Sequence, residues 1–310
     1  MRNAFAAAIT ELAAADPRVV LLSGDIGNRL FDPFKARFPD RFFNCGVAEA
    51  NMTGVAAGMA MCGLRPFTYT IAPFATMRAL EQIRLDVCCH NVPVVIVGTG
   101  GGWSYASLGP THHACEDVAL LRALPNMIVL CPADAAEVRC AVAAALAQAG
   151  PVYLRLGKKG EPAVHQTSPR FVVGRGIVLR EGRDACLLGL GPMVATALEA
   201  AALLEAAGLS ARVVSMHTVK PLDEELLAEA FRRFRLVAVV EEHSRIGGLA
   251  GAVAEWLAAQ FPPPPGRLVA FGVPDAFFHE AGGQEYARQR CGLTPVQIAQ
   301  SLLRVAGAAC

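Results

Sequence analysis

Residues 115–156, CEDVALLRALPNMIVLCPADAAEVRCAVAAALAQAGPVYLRL, decide the fold class. CEDVALLRAL has helical spacing, and Glu116 and Asp117 in its first turn suit the helix dipole. NMIVLCP is an apolar run of strand length, DAAEVRCAVAAALAQ is a second helix, and PVYLRL is a second strand. Apolar strands separated by helices predict a parallel sheet whose two faces are both covered.

The same alternation extends in both directions. Upstream, NAFAAAITELAAA reads as a helix and RVVLLSGD as a strand ending at Gly24-Asp25. EANMTGVAAGMAMCG and TMRALEQIRLDVCC read as helices, and PVVIVGTGGG as a strand running into a glycine loop. Downstream, GKKGEPAVHQTSPR has no periodicity and reads as a linker. The pattern then restarts with strands DACLLGLG, SARVVSMHTV, LVAVVEEHS and RLVAFGV and helices between them, closing on TPVQIAQSLLRVA. The expected class is α/β, mostly doubly wound. A first parallel-sheet domain spans 1–165, a linker 166–178 and a second such domain 179–310.

Of the 310 residues, 54% are hydrophobic and 18% charged, and the mean hydropathy is positive. That is rich for a soluble monomer and predicts apolar surface covered by another subunit. Lys and Arg total 28 against 27 Asp and Glu, so no basic patch points to nucleic acid or an anionic membrane. Arg2, Glu11 and Asp16 break the Ala-rich start, and no run of about 18 residues stays apolar enough to span a bilayer. The ten cysteines form no CxxC pair or metal spacing. They read as small buried hydrophobes of a reducing, cytoplasmic protein, with no metal ligand set of its own.

The glycine loop 98–110, GTGGGWSYASLGP, follows a strand, where open α/β sheets bind ligands. A dinucleotide fingerprint fails there because Trp103 takes the last glycine slot, and GLGPMV fails at Val194. Gly102-Trp103-Ser104-Tyr105-Ala106 approaches a nucleophile elbow, but a run of glycines separates Ser104 from the strand. That leaves a serine hydrolase as an alternative class, beside a non-catalytic partner. Thr111-His112-His113 precedes a helix start. It reads either as surface histidines at a cap or as a titratable pair able to move protons at the mouth of the sheet.

GVAEANM, residues 46–52, sets Glu49 in very apolar surroundings. A carboxylate buried there needs a partner, because leaving it unpaired costs several kcal/mol on the order of the polar-burial penalty. An ordinary first-turn helix carboxylate is the alternative reading.

Several stretches together resemble one family. NCGVAEANMTGVAAGMA, GPTHHACEDVALLRALPNMIVLCPADAAEV, LEAAALLEAAGLSARVVSMHTVKPLD and VVEEHSRIGGLAGAVAEWL look like the C-terminal half of a transketolase, in order along nearly the whole chain. The tail PDAFFHEAGGQEYARQRCGLTP is similar to that of deoxyxylulose-phosphate synthases. The resemblance implies a pyrimidine-binding domain, a transketolase C-terminal domain and thiamine diphosphate as cofactor. It gives Glu49 the role of sharing a proton with a ring nitrogen of the cofactor's aminopyrimidine, which activates the thiazolium carbon; such a role needs a carboxyl in a dry pocket. It places Phe74 on the pyrimidine, with Met77 where another aromatic often stands and Asp25 near the cofactor.

The family holds the diphosphate and Mg²⁺ with a GDG motif and a downstream Asn. This chain has no GDG, and Gly24-Asp25-Ile26-Gly27 matches a different part of the family. The expectation is a split enzyme, an α2β2 heterotetramer in which an N-terminal-half subunit supplies the diphosphate and Mg²⁺ site. His112 matches a histidine that bonds substrate oxygens, with His113 replacing a glutamine. Lys158 stands where a phosphate-binding arginine is usual, with Arg155 nearby, and Arg2 matches another such arginine. A solvated linker is the competing reading of Lys158 and Lys159. Leu108 and Gly100 replace an Asp and a His, so the sugar or sugar-phosphate substrates should differ from the usual pairs. The expected activity is transfer of a two-carbon ketol unit. The rivals are the beta subunit of a 2-oxoacid dehydrogenase's decarboxylating component and a deoxyxylulose-phosphate-synthase-like carboligase.

Overall fold

The computed structural model describes residues 1–27 and 29–307. Six strands in chain order build the first sheet: β1 (Val19–Ser23), β2 (Phe42–Asn44), β3 (Arg65–Ile71), β4 (Val95–Thr99), β5 (Ile128–Leu130) and β6 (Val152–Leu156). The second takes β7 (Ile177–Arg180), β8 (Ala185–Gly189) and β9 (Ala211–Ser215). The chain then returns to the first sheet as β10 (Thr218–Lys220), and β11 (Leu236–Ser244) and β12 (Arg267–Val273) complete the second. The orders are β10-β5-β6-β4-β3-β1-β2 and β12-β11-β8-β9-β7. Every pairing is parallel except β10 on β5 and β7 on β9, at one edge of each sheet.

The alternation seen in the sequence has its cause in the first sheet's two covered faces. In β1, Val20 and Leu22 pack with Met52, Ala56 and Ile96 on one side, while Val19 and Leu21 pack with Phe5, Ile9 and Phe67 on the other. Helix Glu49–Met61 can lie close to the sheet because its inward positions include Ala56, Ala57 and Ala60. Its outward positions include Val55 and Met61, which are exposed, as are Phe43, Val47, Met77 and Leu85 elsewhere in the first domain.

Several sequence expectations change. SARVVSMHTV is not one strand: it divides at Met216-His217, and its two pieces serve different sheets. TMRALEQIRLDVCC is not one regular helix: short turns run from Met77 to Gln82 and a wide, π-type turn spans Ile83–Cys89. β7 begins at Ile177, inside the stretch read as linker. β3, central in the first sheet, escaped the apolar-run criterion because RPFTYTI carries Pro66 and alternating threonines. The cysteines also differ from expectation. Cys88, Cys115, Cys131 and Cys186 are buried, but Cys62 and Cys89 are exposed; Cys310 lies outside the described residues. No described helix is long and apolar enough to cross a membrane.

The domains are stitched at the back of the glycine loop. Glu242 of β11 accepts from the backbone N–H of Trp103 at 2.6 Å and from Gln284 at 2.9 Å, and also pairs with Arg288. Ser244 N donates to Cys115 O at 2.7 Å. These bonds hold the loop between β4 and His112 against the second domain.

Candidate active site

The candidate residues gather at the carboxyl ends of β1, β2, β3, β4 and β6, where parallel sheets leave backbone groups and loops free to bind. β1 ends in Gly24-Asp25. Asp25 has φ 57°, and its Oδ1 accepts from Asn44 Nδ2 at 2.8 Å, which ties the end of β1 to β2. Asn44 Oδ1 accepts from Gly46 N at 3.0 Å and shapes the turn into helix Glu49–Met61. Gly24 is needed for close approach: a Cβ there would lie 3.0 Å from Thr70 Oγ1 and 3.8 Å from Glu49 Cγ.

Glu49 opens its helix and is 4% exposed. Both carboxylate oxygens accept from Arg78 Nη1 at 3.3 Å. The same guanidinium lies 3.7 Å from the centroid of the Phe74 ring, and the His112 ring meets Phe74 edge-on at 5.1 Å. Glu49, Phe74 and His112 therefore come together, although 62 residues of chain lie between the first and the last. Met77 opens the short turn that follows Phe74 and is exposed. Arg78 escaped notice in the sequence; its signal is the four-residue spacing from Phe74, which suits stacking on one helical face.

His112 closes a short turn, Pro110–His112, and its Nδ1 shares a hydrogen bond of 2.9 Å with Thr111 Oγ1. Burial lowers its pKa, and the nearby Arg78 and His113 lower it further. The histidine pair does not act together. His113 turns to the other side, where its Nε2 bonds Ala106 O at 3.2 Å and its ring faces Phe278 of the second domain. There it lines an interdomain cleft with Trp103, Glu116 and Phe277.

Lys158 follows β6. Its carbonyl accepts from Arg2 Nε at 2.8 Å, and its ammonium lies 4.4 Å from the centroid of the Tyr105 ring. Arg155 is a correction to the substrate-contact expectation. It is 5% exposed, its Nε donates to Asp117 Oδ2 at 2.8 Å, and its Nη2 donates to Ala114 O and Glu242 O. Tyr153 Oη donates to the same Asp117 oxygen at 2.6 Å. Arg155 thus serves the domain junction, not a ligand. Ser104, the residue of the hydrolase alternative, donates its hydroxyl to Gly101 O at 2.8 Å, and among the described residues no histidine bonds it. Leu108 is exposed, and Gly100 is packed against Tyr105.

The pocket can be tested for fit to an aminopyrimidine. Arg78 already shows what it accepts: a planar group with N–H donors, stacked on Phe74 and reaching both oxygens of a buried carboxylate. Arg78 is 47% exposed, so it can swing toward solvent and yield that place. The buried Thr70 hydroxyl beside Gly24 has no partner, leaving polar capacity unused in the same pocket. Glu49 and Phe74 thus fit the pyrimidine ring of thiamine diphosphate. Among the described residues no cluster of three or more His, Cys, Asp or Glu could hold a metal ion.

Comparison with known proteins agrees with this geometry. Residues 1–161 match the family described as "Transketolase, pyrimidine binding domain", and residues 174–298 match "Transketolase, C-terminal domain". The chain is 38% identical to the 6-deoxy-6-sulfo-D-fructose transketolase subunit SqwH of Clostridium sp. (strain MSTE9), covering 97% of this chain and 92% of that protein. It is 35% identical to an apulose-4-phosphate transketolase subunit of Phocaeicola vulgatus (strain ATCC 8482), covering 88% and 87%. A solved structure described as a split gene transketolase, inactive beta4 tetramer, superposes with a TM-score of 0.87 at 44% identity over 98% of this chain and 96% of that one. The chain belongs to the thiamine-diphosphate-dependent transketolase family and carries its pyrimidine-binding and C-terminal domains.

Proposed function

We propose that this subunit transfers a two-carbon ketol unit from a ketose to an aldehyde only when paired with an N-terminal-half subunit. That partner supplies the oxygen ligands for Mg²⁺ and the donors for the diphosphate, which no motif here provides. The expected assembly is α2β2, with the exposed apolar surface around Val55, Met61 and Met77 covered in it. The observation that carries the reading is Glu49: a buried carboxylate paired, among the described residues, with a half-exposed arginine that stacks on the Phe74 ring.

When bound, the cofactor supplies reversible uptake and release of the ketol unit at its thiazolium carbon. The chain's own residues then have separable tasks. Glu49 shares a proton with a pyrimidine nitrogen, and Phe74 and Met77 wall the ring from water. Asp25 and Asn44 hold the β1–β2 rim beside it. His112, with its lowered pKa, is neutral at pH 7 and can take a proton from a substrate hydroxyl or return one to a substrate oxygen. Lys158 and Arg2 stand beside Tyr105 as cations for an anionic sugar terminus. His113 faces the other domain and has no place in proton transfer to substrate.

The two sequence relatives described above match along most of their own length and are transketolase subunits, which favours this reading over the 2-oxoacid dehydrogenase and deoxyxylulose-phosphate synthase alternatives. The experiment is coexpression with the N-terminal-half subunit, followed by assay of ketol transfer in the presence of thiamine diphosphate and Mg²⁺. Glycolaldehyde transfer without lipoamide acylation supports the reading. Pyruvate-dependent acyl transfer in its place overturns it.

A further inference from the structure

The interdomain cleft that His113 lines is separate from the Glu49 pocket: none of Glu49, Phe74, Arg78 or His112 borders it. It has a volume of about 240 Å³. Trp103, His113 and Glu116 reach it from the first domain, and Asp275, Phe277 and Phe278 from the segment that follows β12. Part of its wall is fixed by packing. The Trp103 and Phe278 rings lie 5.6 Å apart at 49°, and the Tyr286 ring meets Phe278 edge-on at 6.2 Å. Phe277, by contrast, is 70% exposed and offers the cleft an aromatic surface that water covers.

The charge of this cleft is one-sided. Glu116 is half-buried, and its Oε2 accepts from Cys115 N at 3.1 Å. Among the described residues no Lys or Arg borders the cleft, and neither Glu116 nor Asp275 forms an ion pair. Burial pushes the Glu116 pKa up, as expected of a carboxylate partly withdrawn from water without a counter-charge. Carboxylates beside aromatic faces complement a cation that carries its own apolar body. The ammonium donates to the carboxylate and is attracted to the ring faces, while the body displaces water from the rings. An anion meets like charge there, and a neutral alcohol forgoes the charge-assisted bond.

We propose that this cleft binds a small organic cation, a primary amine on an aromatic body, held by the Glu116 carboxylate and the rings of Phe277 and Phe278. Asp275 adds a second negative charge to the same cleft. Binding here goes beyond the ketol-transfer reading and does not depend on it.

The test uses the chain paired with its N-terminal-half subunit, with saturating thiamine diphosphate and Mg²⁺ to keep the probe out of the Glu49 pocket. Phenethylammonium is titrated calorimetrically, with 2-phenylethanol as its neutral counterpart and phenylacetate as the anion. The amine is expected to bind about tenfold tighter than the alcohol, the worth of one hydrogen bond to a charged group, and phenylacetate is expected not to bind. Glu116→Gln keeps the size of the side chain and an acceptor for Cys115 N; it should weaken the amine about tenfold and leave the alcohol unchanged. Phe277→Ala changes an exposed position and should weaken the amine about two- to fivefold, the worth of a cation–ring contact near the surface. No binding of the amine, equal affinity for amine and alcohol, or amine affinity indifferent to Glu116→Gln would each overturn the assignment. Should Glu116→Gln fail to fold, the comparison of amine with alcohol and Phe277→Ala decide it, and indifference to the latter then overturns it. A pair that binds the amine through Glu116 yet transfers no ketol unit sinks the function proposed above and leaves this site standing.

Discussion

Replacing Arg78 by alanine should make the pyrimidine site easier to fill. The guanidinium holds its place by two attractions. At 3.3 Å from each Glu49 oxygen, the charge pair is worth about 5 kcal/mol at an effective dielectric of ~20, before desolvation and screening. Water reaches nearly half of the arginine side chain, so the net contribution falls to about 1 kcal/mol, as for exposed ion pairs. Stacking on Phe74 at 3.7 Å adds roughly 0.5–1 kcal/mol. A ring entering between Phe74 and Glu49 must displace both, so Arg78 weakens cofactor binding by about tenfold. In the reconstituted pair with Arg78→Ala, titration of thiamine diphosphate followed by intrinsic fluorescence should show an apparent Kd about tenfold lower. The cofactor-free chain should also lose about 1 kcal/mol of stability in urea, since Glu49 is left buried without its cation. Arg78→Lys should fall between, because an ammonium keeps the charge but not the planar stack. An unchanged or weaker cofactor affinity in Arg78→Ala would refute the reasoning, for it would mean that the guanidinium and the ring share the pocket.

Three further outcomes are expected. Glu49→Gln keeps the size of the side chain but cannot exchange a carboxyl proton; ketol transfer in the pair should fall by ~10²–10⁴, with the unfolding midpoint of the chain nearly unchanged. Asp117→Asn leaves Arg155 buried without its counter-charge and should cost about 3–5 kcal/mol in urea unfolding, whereas a loss below 1 kcal/mol would show that the backbone carbonyls of Ala114 and Glu242 suffice. The chain beyond β6 is pinned by Asp134 Oδ2, which accepts from Val164 N and His165 N, and by His165 Nε2 on Glu137 Oε1 at 2.8 Å. The hydrogen bond to Glu137 raises the His165 pKa above its unfolded value, so this clamp is strongest below pH ~6.5 and loosens as pH rises through the folded value. Hydrogen exchange across residues 163–166 should therefore gain protection at pH 6 relative to pH 8, after correction for intrinsic rates. His165→Gln should remove the difference.

The site was partly legible in advance because some of its chemistry is local. Glu49 stands out in GVAEANM since a lone carboxylate in an apolar helix start demands a partner, and Phe74, Met77 and His112 followed from motif resemblance. Arg155 and Lys158 show the limit. Both are cations near the end of one strand, yet strand alternation and the neighbouring Asp117 bury the first while the second lies over the Tyr105 ring. His112 and His113 are adjacent in sequence, but an extended backbone at His113, φ −72° and ψ 139°, sends the two rings to different domains.

The period and apolarity of successive segments alone determined two α/β layers with parallel sheets, since covered strands must be apolar on both faces and helices must bury one stripe. The missing GDG alone determined that this chain lacks that diphosphate motif. Only the tertiary structure decided that Met216-His217 divides one apolar run between two sheets, that Arg78 pairs with Glu49, and that the Tyr105 ring packs against Gly100. These are contacts between residues with no fixed spacing, set by which loops the sheet's carboxyl ends bring together, and a one-dimensional pattern carries no distance across that gap.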